Sequence, residues 1–160
     1  LSSQLATHAG FDRLEDEEEE LSVGLLLLAG RLIQRLDETC RKWGITDDQY
    51  NVLRILKGAR PAGQPRYAIA EMLFNRAPDV TRLLDRLEAK GLVVRARSGS
   101  DRRRSISSVT PEGLALLSSM SEDIRKTQLE IVQALSPEER QVFLSLLRRM
   151  VHSEDAVHDS

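Results

Sequence analysis

Val80-Thr81-Arg82-Leu83-Leu84-Asp85-Arg86-Leu87-Glu88-Ala89-Lys90-Gly91-Leu92-Val93 is the stretch on which the reading of this chain turns. Val80, Leu83, Leu84 and Leu87 recur at three- and four-residue steps, which stacks them on one buried face of a helix. Pro78 suits the first turn of that helix, where a missing N–H costs nothing, and Gly91 stops it after Lys90. The period then changes. Leu92-Val93-Val94-Arg95-Ala96-Arg97 is β-branched and alternating, Ser98-Gly99-Ser100-Asp101-Arg102 supplies turn chemistry, and Arg104 to Val109 reads as the return strand. Upstream, a short helix covers about Ala68 to Leu73, with Ile69 and Leu73 inward, and the chain breaks at Asn75-Arg76-Ala77-Pro78. Two short helices with a tight break, followed at once by a β-hairpin, predict a winged helix-turn-helix. Arg102, Arg103 and Arg104 crowd the hairpin's tip.

The flanks read as helices. Leu25, Leu28, Leu32, Ile33, Leu36, Cys40 and Trp43 fall at helical spacing before Gly44. Ahead of them lies the acidic run Glu15-Asp16-Glu17-Glu18-Glu19-Glu20, a solvated tail or a helix start whose carboxylates suit the macrodipole. Thr46-Asp47-Asp48-Gln49 is a capping-box pattern that opens a helix with Gln49, Val52, Leu53 and Leu56 inward. Gly58 and Pro61-Ala62-Gly63-Gln64-Pro65 close it and form a loop. After the hairpin, Thr110, Pro111 and Glu112 start a helix, and Leu117, Met120, Ile124, Ile131 and Leu135 mark one long face. Ser136-Pro137-Glu138-Glu139 repeats the start signals ahead of Val142, Phe143, Leu146, Leu147 and Met150. His152 to Ser160 has no pattern and is expected to fray. The fold class expected is mainly α (α+β), a winged lobe between N- and C-terminal helices.

Composition narrows the function classes. The chain has 160 residues, 41% hydrophobic and 30% charged, enough for one domain with a core and too few for two ordinary ones. Its longest apolar run, Val23 to Leu28, contains Gly24 and soon meets Arg31, so no membrane span is expected. No secretory leader pattern opens the chain, and the single Cys40 has no internal disulfide partner, which makes the cytoplasm the expected compartment. The net charge of −2 conceals a basic middle: residues 41–104 hold fifteen basic against seven acidic residues, between acidic flanks. That distribution suits a reader of nucleic acid whose ends do another job, such as dimerising.

The residues quoted above resemble the MarR family of bacterial transcription regulators over roughly Leu21 to Val151. Val80 to Val93 looks like the family's recognition helix and its exit into the wing, Asp101-Arg102-Arg103 like its Asp-x-Arg wing signature, and Thr110-Pro111-Glu112-Gly113 like the opening of its dimerisation helix. Phe74 stands where the family's turn usually has Gly, and Arg76 where the helix start usually has Ser. The resemblance implies a homodimer held by residues 21–45 and 111–152, a DNA-binding lobe over 46–110, an acidic segment over 1–20 and a tail over 153–160. It also implies repression from an inverted-repeat operator.

In such a motif the N-terminal residues of the second helix enter the major groove. The candidates are Asn75, Arg76, Pro78, Asp79, Thr81 and Arg82. Arg76 or Arg82 would pair with guanine, Asp79 would accept from cytosine, and Thr81 would meet a phosphate or a thymine methyl. Arg86, one turn further in, is a DNA contact or a salt-bridge partner of Asp79 or Asp85. Arg102, Arg103 and Arg104 would reach the neighbouring minor groove. The resemblance further implies a small aromatic ligand between the dimerisation helices and the lobe, with Trp43, Tyr50, Arg54 and Tyr67 as candidates and plain core roles for Trp43 and Tyr50 as the alternative. Cys40, on an apolar stripe, reads as a structural thiol rather than a sensor. His8, His152 and His158 have no metal-ligand spacing, and no phosphate loop or nucleophile motif is present, so neither a cofactor, a metal nor an enzyme is expected. The alternative function is a winged-helix module that binds protein instead of DNA.

Overall fold

The computed structural model describes residues 7–10, 14–74, 79–97 and 105–158. They fall into two compact units, Leu1–Thr127 and Gln128–Ser160. In chain order the elements are α1 (Glu17–Lys42), α2 (Asp47–Gly58), β1 (Gln64–Pro65), α3 (Arg66–Met72), α4 (Val80–Ala89), β2 (Val93–Arg97), β3 (Ser105–Val109), α5 (Pro111–Ser119), α6 (Ser121–Val132) and α7 (Pro137–His158). The strands form one antiparallel sheet in the order β1-β3-β2. The protein is therefore mainly helical with a small sheet, the winged-helix arrangement.

Local chemistry sets each helix start. Asp16 caps α1 by accepting the Glu19 N–H at 2.8 Å, and Glu17 to Glu20 fill the first turn, so the acidic run is a helix start. At α2, Thr46 Oγ1 accepts the Gln49 N–H at 3.2 Å while Gln49 Oε1 accepts the Thr46 N–H at 3.0 Å, the reciprocal box read from the sequence. Thr110 Oγ1 accepts the Gly113 N–H at 3.1 Å at the head of α5 and donates to the Gly91 carbonyl at 2.7 Å, which ties α5 to the end of α4. In the second unit, Ser136 and Glu139 exchange the same pair of bonds at the head of α7.

The core lies in the first unit. Val52, Leu53 and Leu56 of α2, Ile69 of α3, Leu84 and Leu87 of α4, Val93 of β2 and Met120 are all fully or almost fully buried. Each such side chain contributes about 1.5–3 kcal/mol by leaving water. Thr39 and Thr127, both buried, meet hydroxyl to hydroxyl at 2.8 Å and so satisfy each other between α1 and α6.

Three expectations need correction. Gln64 and Pro65, read as loop, pair with Ser107 and Ile106 as an edge strand, where proline's missing N–H faces no partner. Gly63 makes that approach possible: its φ is +71°, and a Cβ there would lie 2.6 Å from the Ser107 carbonyl oxygen. The long face read from Leu117 to Leu135 is carried by two helices that end at Val132, short of Leu135, and is broken at buried Met120, where the Ser121 hydroxyl donates to the Ser118 carbonyl at 2.7 Å. Finally, α7 runs to His158, because no Gly or Pro interrupts it and extending a formed helix costs little. Among the described residues no helix is long and apolar enough to cross a membrane.

Candidate nucleic-acid interface

The interface is built around α4. Val80, Leu83, Leu84 and Leu87 bury its inner face against the core, which turns Thr81, Arg82, Asp85 and Arg86 outward. The helix begins at Val80, two residues later than Pro78 suggests, because Asp79 is the N-cap. Asp79 Oδ1 accepts the Arg82 N–H at 3.2 Å, and its Oδ2 lies 3.3 Å from Arg82 Nε. This carboxylate is thus committed to the helix end and to holding Arg82, which weakens the reading of Asp79 as a base acceptor. The Arg82 side chain remains 78% exposed.

Arg86 pairs with neither Asp79 nor Asp85. Asp79 holds Arg82, and Asp85 takes Arg95 of β2 at 2.7 Å. Asn75, Arg76 and Pro78 lie outside the described residues, as do Arg102, Arg103 and Arg104 of the β2–β3 connection. The hairpin beneath them is in register from Val93↔Val109 to Arg97↔Ser105.

Sequence reading missed Arg95. Its guanidinium bonds Glu88 through Nε at 2.9 Å and through a terminal nitrogen, and Asp85 through that same nitrogen. The bond from Arg95 holds the Glu88 carboxyl below its ordinary range. One strand residue therefore clasps two turns of α4 and fixes the hairpin's base to the helix. Alternation along β2 put Arg95 on a face, but only the fold brings that face to Asp85 and Glu88.

The four ligand candidates have different surroundings. Trp43 packs on the core with its Nε1–H donating to Asp123 Oδ2 at 3.1 Å. Arg54 lies over the Tyr50 ring at 5.6 Å and also lines a cavity of about 200 Å³ with Asn51, Ile55, Met72 and Phe74. Tyr67 is 56% exposed on α3. Burial raises the Tyr50 hydroxyl above its ordinary value. Cys40 is fully buried, and burial with the nearby Asp47 and Asp37 charges pushes its thiol up to about 12, which suits a structural role. Among the described residues no group of three or more His, Cys, Asp or Glu is placed to hold a metal.

The MarR family model matches residues 43–104, from the end of α1 to the base of β3. A MarR transcription factor from Planctomyces limnophilus is 31% identical, with a TM-score of 0.67 over 85% of this chain and 98% of that one. The chain belongs to the MarR family. The MarR-family structures it resembles include the S. aureus MepR–DNA complex, at 26% identity and a TM-score of 0.71 over 82% of this chain and 96% of that one. They also include BpsR of Bordetella bronchiseptica, whose DNA binding is regulated by 6-hydroxynicotinic acid, at 26% identity and a TM-score of 0.69 over 81% and 98%. MarR proteins are transcription regulators rather than enzymes.

Proposed function

We propose that this protein is a sequence-specific repressor that binds double-stranded DNA as a homodimer on an inverted repeat and is released by a small ligand. The observation that carries the reading is the outward row Thr81, Arg82 and Arg86 on α4, backed by a fully apolar inner face and braced by Arg95 to the hairpin. Such a helix fits the major groove with its N-terminal side chains at base edges, and a hairpin beside it reaches the adjacent minor groove. Asn75, Arg76, Pro78 and Asp79, which precede α4 in sequence, and Arg102, Arg103 and Arg104, which lie between β2 and β3 in sequence, would supply further DNA contacts. MepR supports the DNA role, and BpsR supports release by a ligand.

Residues 46–110 would form the reading lobe, and 21–45 with 111–152 the dimer contacts. Leu21, Leu28 and Ile33 on α1, and Val142, Leu144 and Leu146 on α7, are exposed in the single chain, which is the surface a second copy would cover. The site of action is the cytoplasm, where bacterial DNA is.

Fluorescence anisotropy with A·T-rich inverted repeats and a random-sequence control, across a salt series, tests the reading. The expected result is selective binding that weakens steeply with salt, with a shallower slope for Arg103→Ala. Failure to bind any selected duplex at low salt would favour the protein-binding module instead.

A further inference from the structure

We propose that Lys57, Arg60 and Arg66 form a further contact surface for duplex DNA, one that holds backbone phosphates without reading bases. The proposal rests on the DNA-binding reading and adds to it a surface that neither α4 nor the β2–β3 connection supplies. The sequence gives the first reason. Residues 49–70 hold four basic side chains and no Asp or Glu, in a chain with 25 acidic residues. A surface that is merely solvated intersperses both signs.

The fold gathers these charges around one short connection. Lys57 lies in the last turn of α2, Arg60 follows the C-cap Ala59, and Arg66 is the first residue of α3. Between them the Gly63 N–H donates to the Ala59 carbonyl at 3.0 Å, and Gln64 and Pro65 pair with Ser107 and Ile106 of β3. Leu56 and Ile69, both fully buried, anchor α2 and α3 on either side. Because β1 is antiparallel to β3, it runs toward the end of the sheet at which β3 begins. Arg66 therefore leaves the sheet beside the start of β3, at the end of the hairpin that would meet the minor groove.

The three charges are uncompensated. Other arginines hold carboxylates: Arg41 holds Asp37, Arg82 Asp79, Arg95 both Asp85 and Glu88, and Arg125 Glu122. Arg54, the fourth cation of the stretch, lies over the Tyr50 ring. Lys57, Arg60 and Arg66 are exposed and have no hydrogen-bond or ion-pair partner among the described residues. The negative end of α2 explains Lys57 locally. It does not explain Arg66, which opens a helix, where a cation is unfavourable. A phosphate offsets that cost. Phosphate contacts from Lys and Arg fix the register of a protein on its duplex, which is what a reading helix needs from its flank.

Fluorescence anisotropy of the full chain tests this, with the selected inverted repeat and a random-sequence duplex, each across a salt series. The variants are Lys57→Gln, Arg60→Gln, Arg66→Gln and the triple substitution. Each single substitution should lower the slope of log affinity against log salt by about 0.9 for each chain bound, and the triple by the sum of the three. Both duplexes should weaken by the same factor, so that selectivity is kept, whereas Arg82→Ala should lose selectivity. Far-UV dichroism and Tm should stay those of the wild type, because all three positions are exposed. A triple variant with the wild-type slope and affinity would overturn the proposal, leave the DNA-binding reading standing and pass the patch to a protein partner. Lost selectivity at an unchanged slope would overturn it too, by making these residues base contacts. A wild-type chain that binds neither duplex would overturn both readings.

Discussion

Arg82 and Asp79 share one contact but make opposite demands on an experiment. Their ion pair is exposed on both sides, 78% and 56%, and such pairs contribute at most about 1 kcal/mol. A bidentate contact from the same guanidinium to guanine would be worth roughly 1–3 kcal/mol of discrimination. Arg82→Ala is therefore expected to weaken binding to the selected operator about tenfold or more while leaving the Tm almost unchanged. Asp79→Ala removes the N-cap, which costs about 1 kcal/mol of stability, and should lower the Tm by several degrees. Anisotropy and thermal melts on both variants separate the roles. Equal losses of affinity and of Tm in Arg82→Ala would make that arginine structural. The outward placing of Asp79, Thr81, Arg82 and Arg86 was legible in the sequence, because it is the complement of the apolar stripe Val80, Leu83, Leu84 and Leu87. What Asp79 does there was not, since a carboxylate among arginines reads as a partner or a base contact, and its capping of Arg82, three residues on, shows only in the fold.

Between elements, the joints carry the information that periodicity cannot. Glu88, whose carboxyl Arg95 holds below the ordinary value of 4.5, joins α4 to β2. A folded-state value below the unfolded one means that the bond's stabilisation is complete above 4.5 and is lost as the pH falls through the lower folded value. The Tm difference between the wild type and Glu88→Gln should thus be largest at neutral pH and shrink well below 4.5. A difference independent of pH would show that the pair does not form. The second joint is Gly113, where a Cβ would lie 2.4 Å from the Leu92 carbonyl oxygen and 2.7 Å from Val109 Cγ2. Gly113→Ala forces α5 off the hairpin's base and should cost about 1–3 kcal/mol, read as a lower midpoint in urea unfolding. The helices themselves were plain in the sequence: Thr46 with Gln49, and Thr110 with Pro111, announce starts that the structure keeps. The strand Gln64–Pro65 was not, because two residues show no period and become a strand only through Ser107 and Ile106. The break at Met120 was hidden for a related reason, since the apolar spacing continues across it.

For the molecule as a whole, the decisive property is the apolar surface that one copy leaves in water. Leu28 and Ile33 on α1 are each 41% exposed, and Val142 and Leu146 on α7 are 61% and 47% exposed, although all four sit on apolar stripes. Stripes left exposed in the single chain are what the proposed dimer would cover. Pattern alone could suggest this, but only burial shows which of those residues the single chain fails to cover. Arg95 was illegible for the same kind of reason: its partners lie seven and ten residues away, across a helix-to-strand turn. If a two-fold dimer covers these stripes, each substitution acts on both sides of the axis. Leu28→Glu and, separately, Leu146→Glu should then weaken self-association at least about tenfold, since burying a leucine is worth roughly 1.5–3 kcal/mol. Sedimentation velocity over a concentration series reads that shift, with far-UV dichroism confirming that the helices persist. Anisotropy then extends the test to function. A monomer can occupy only one half-site at a time, so both variants should lose affinity for the two-half-site duplex while binding an isolated half-site as the wild type does. A wild-type chain that sediments as a monomer at micromolar concentration would remove the dimer, and with it the inverted repeat, from the proposed function.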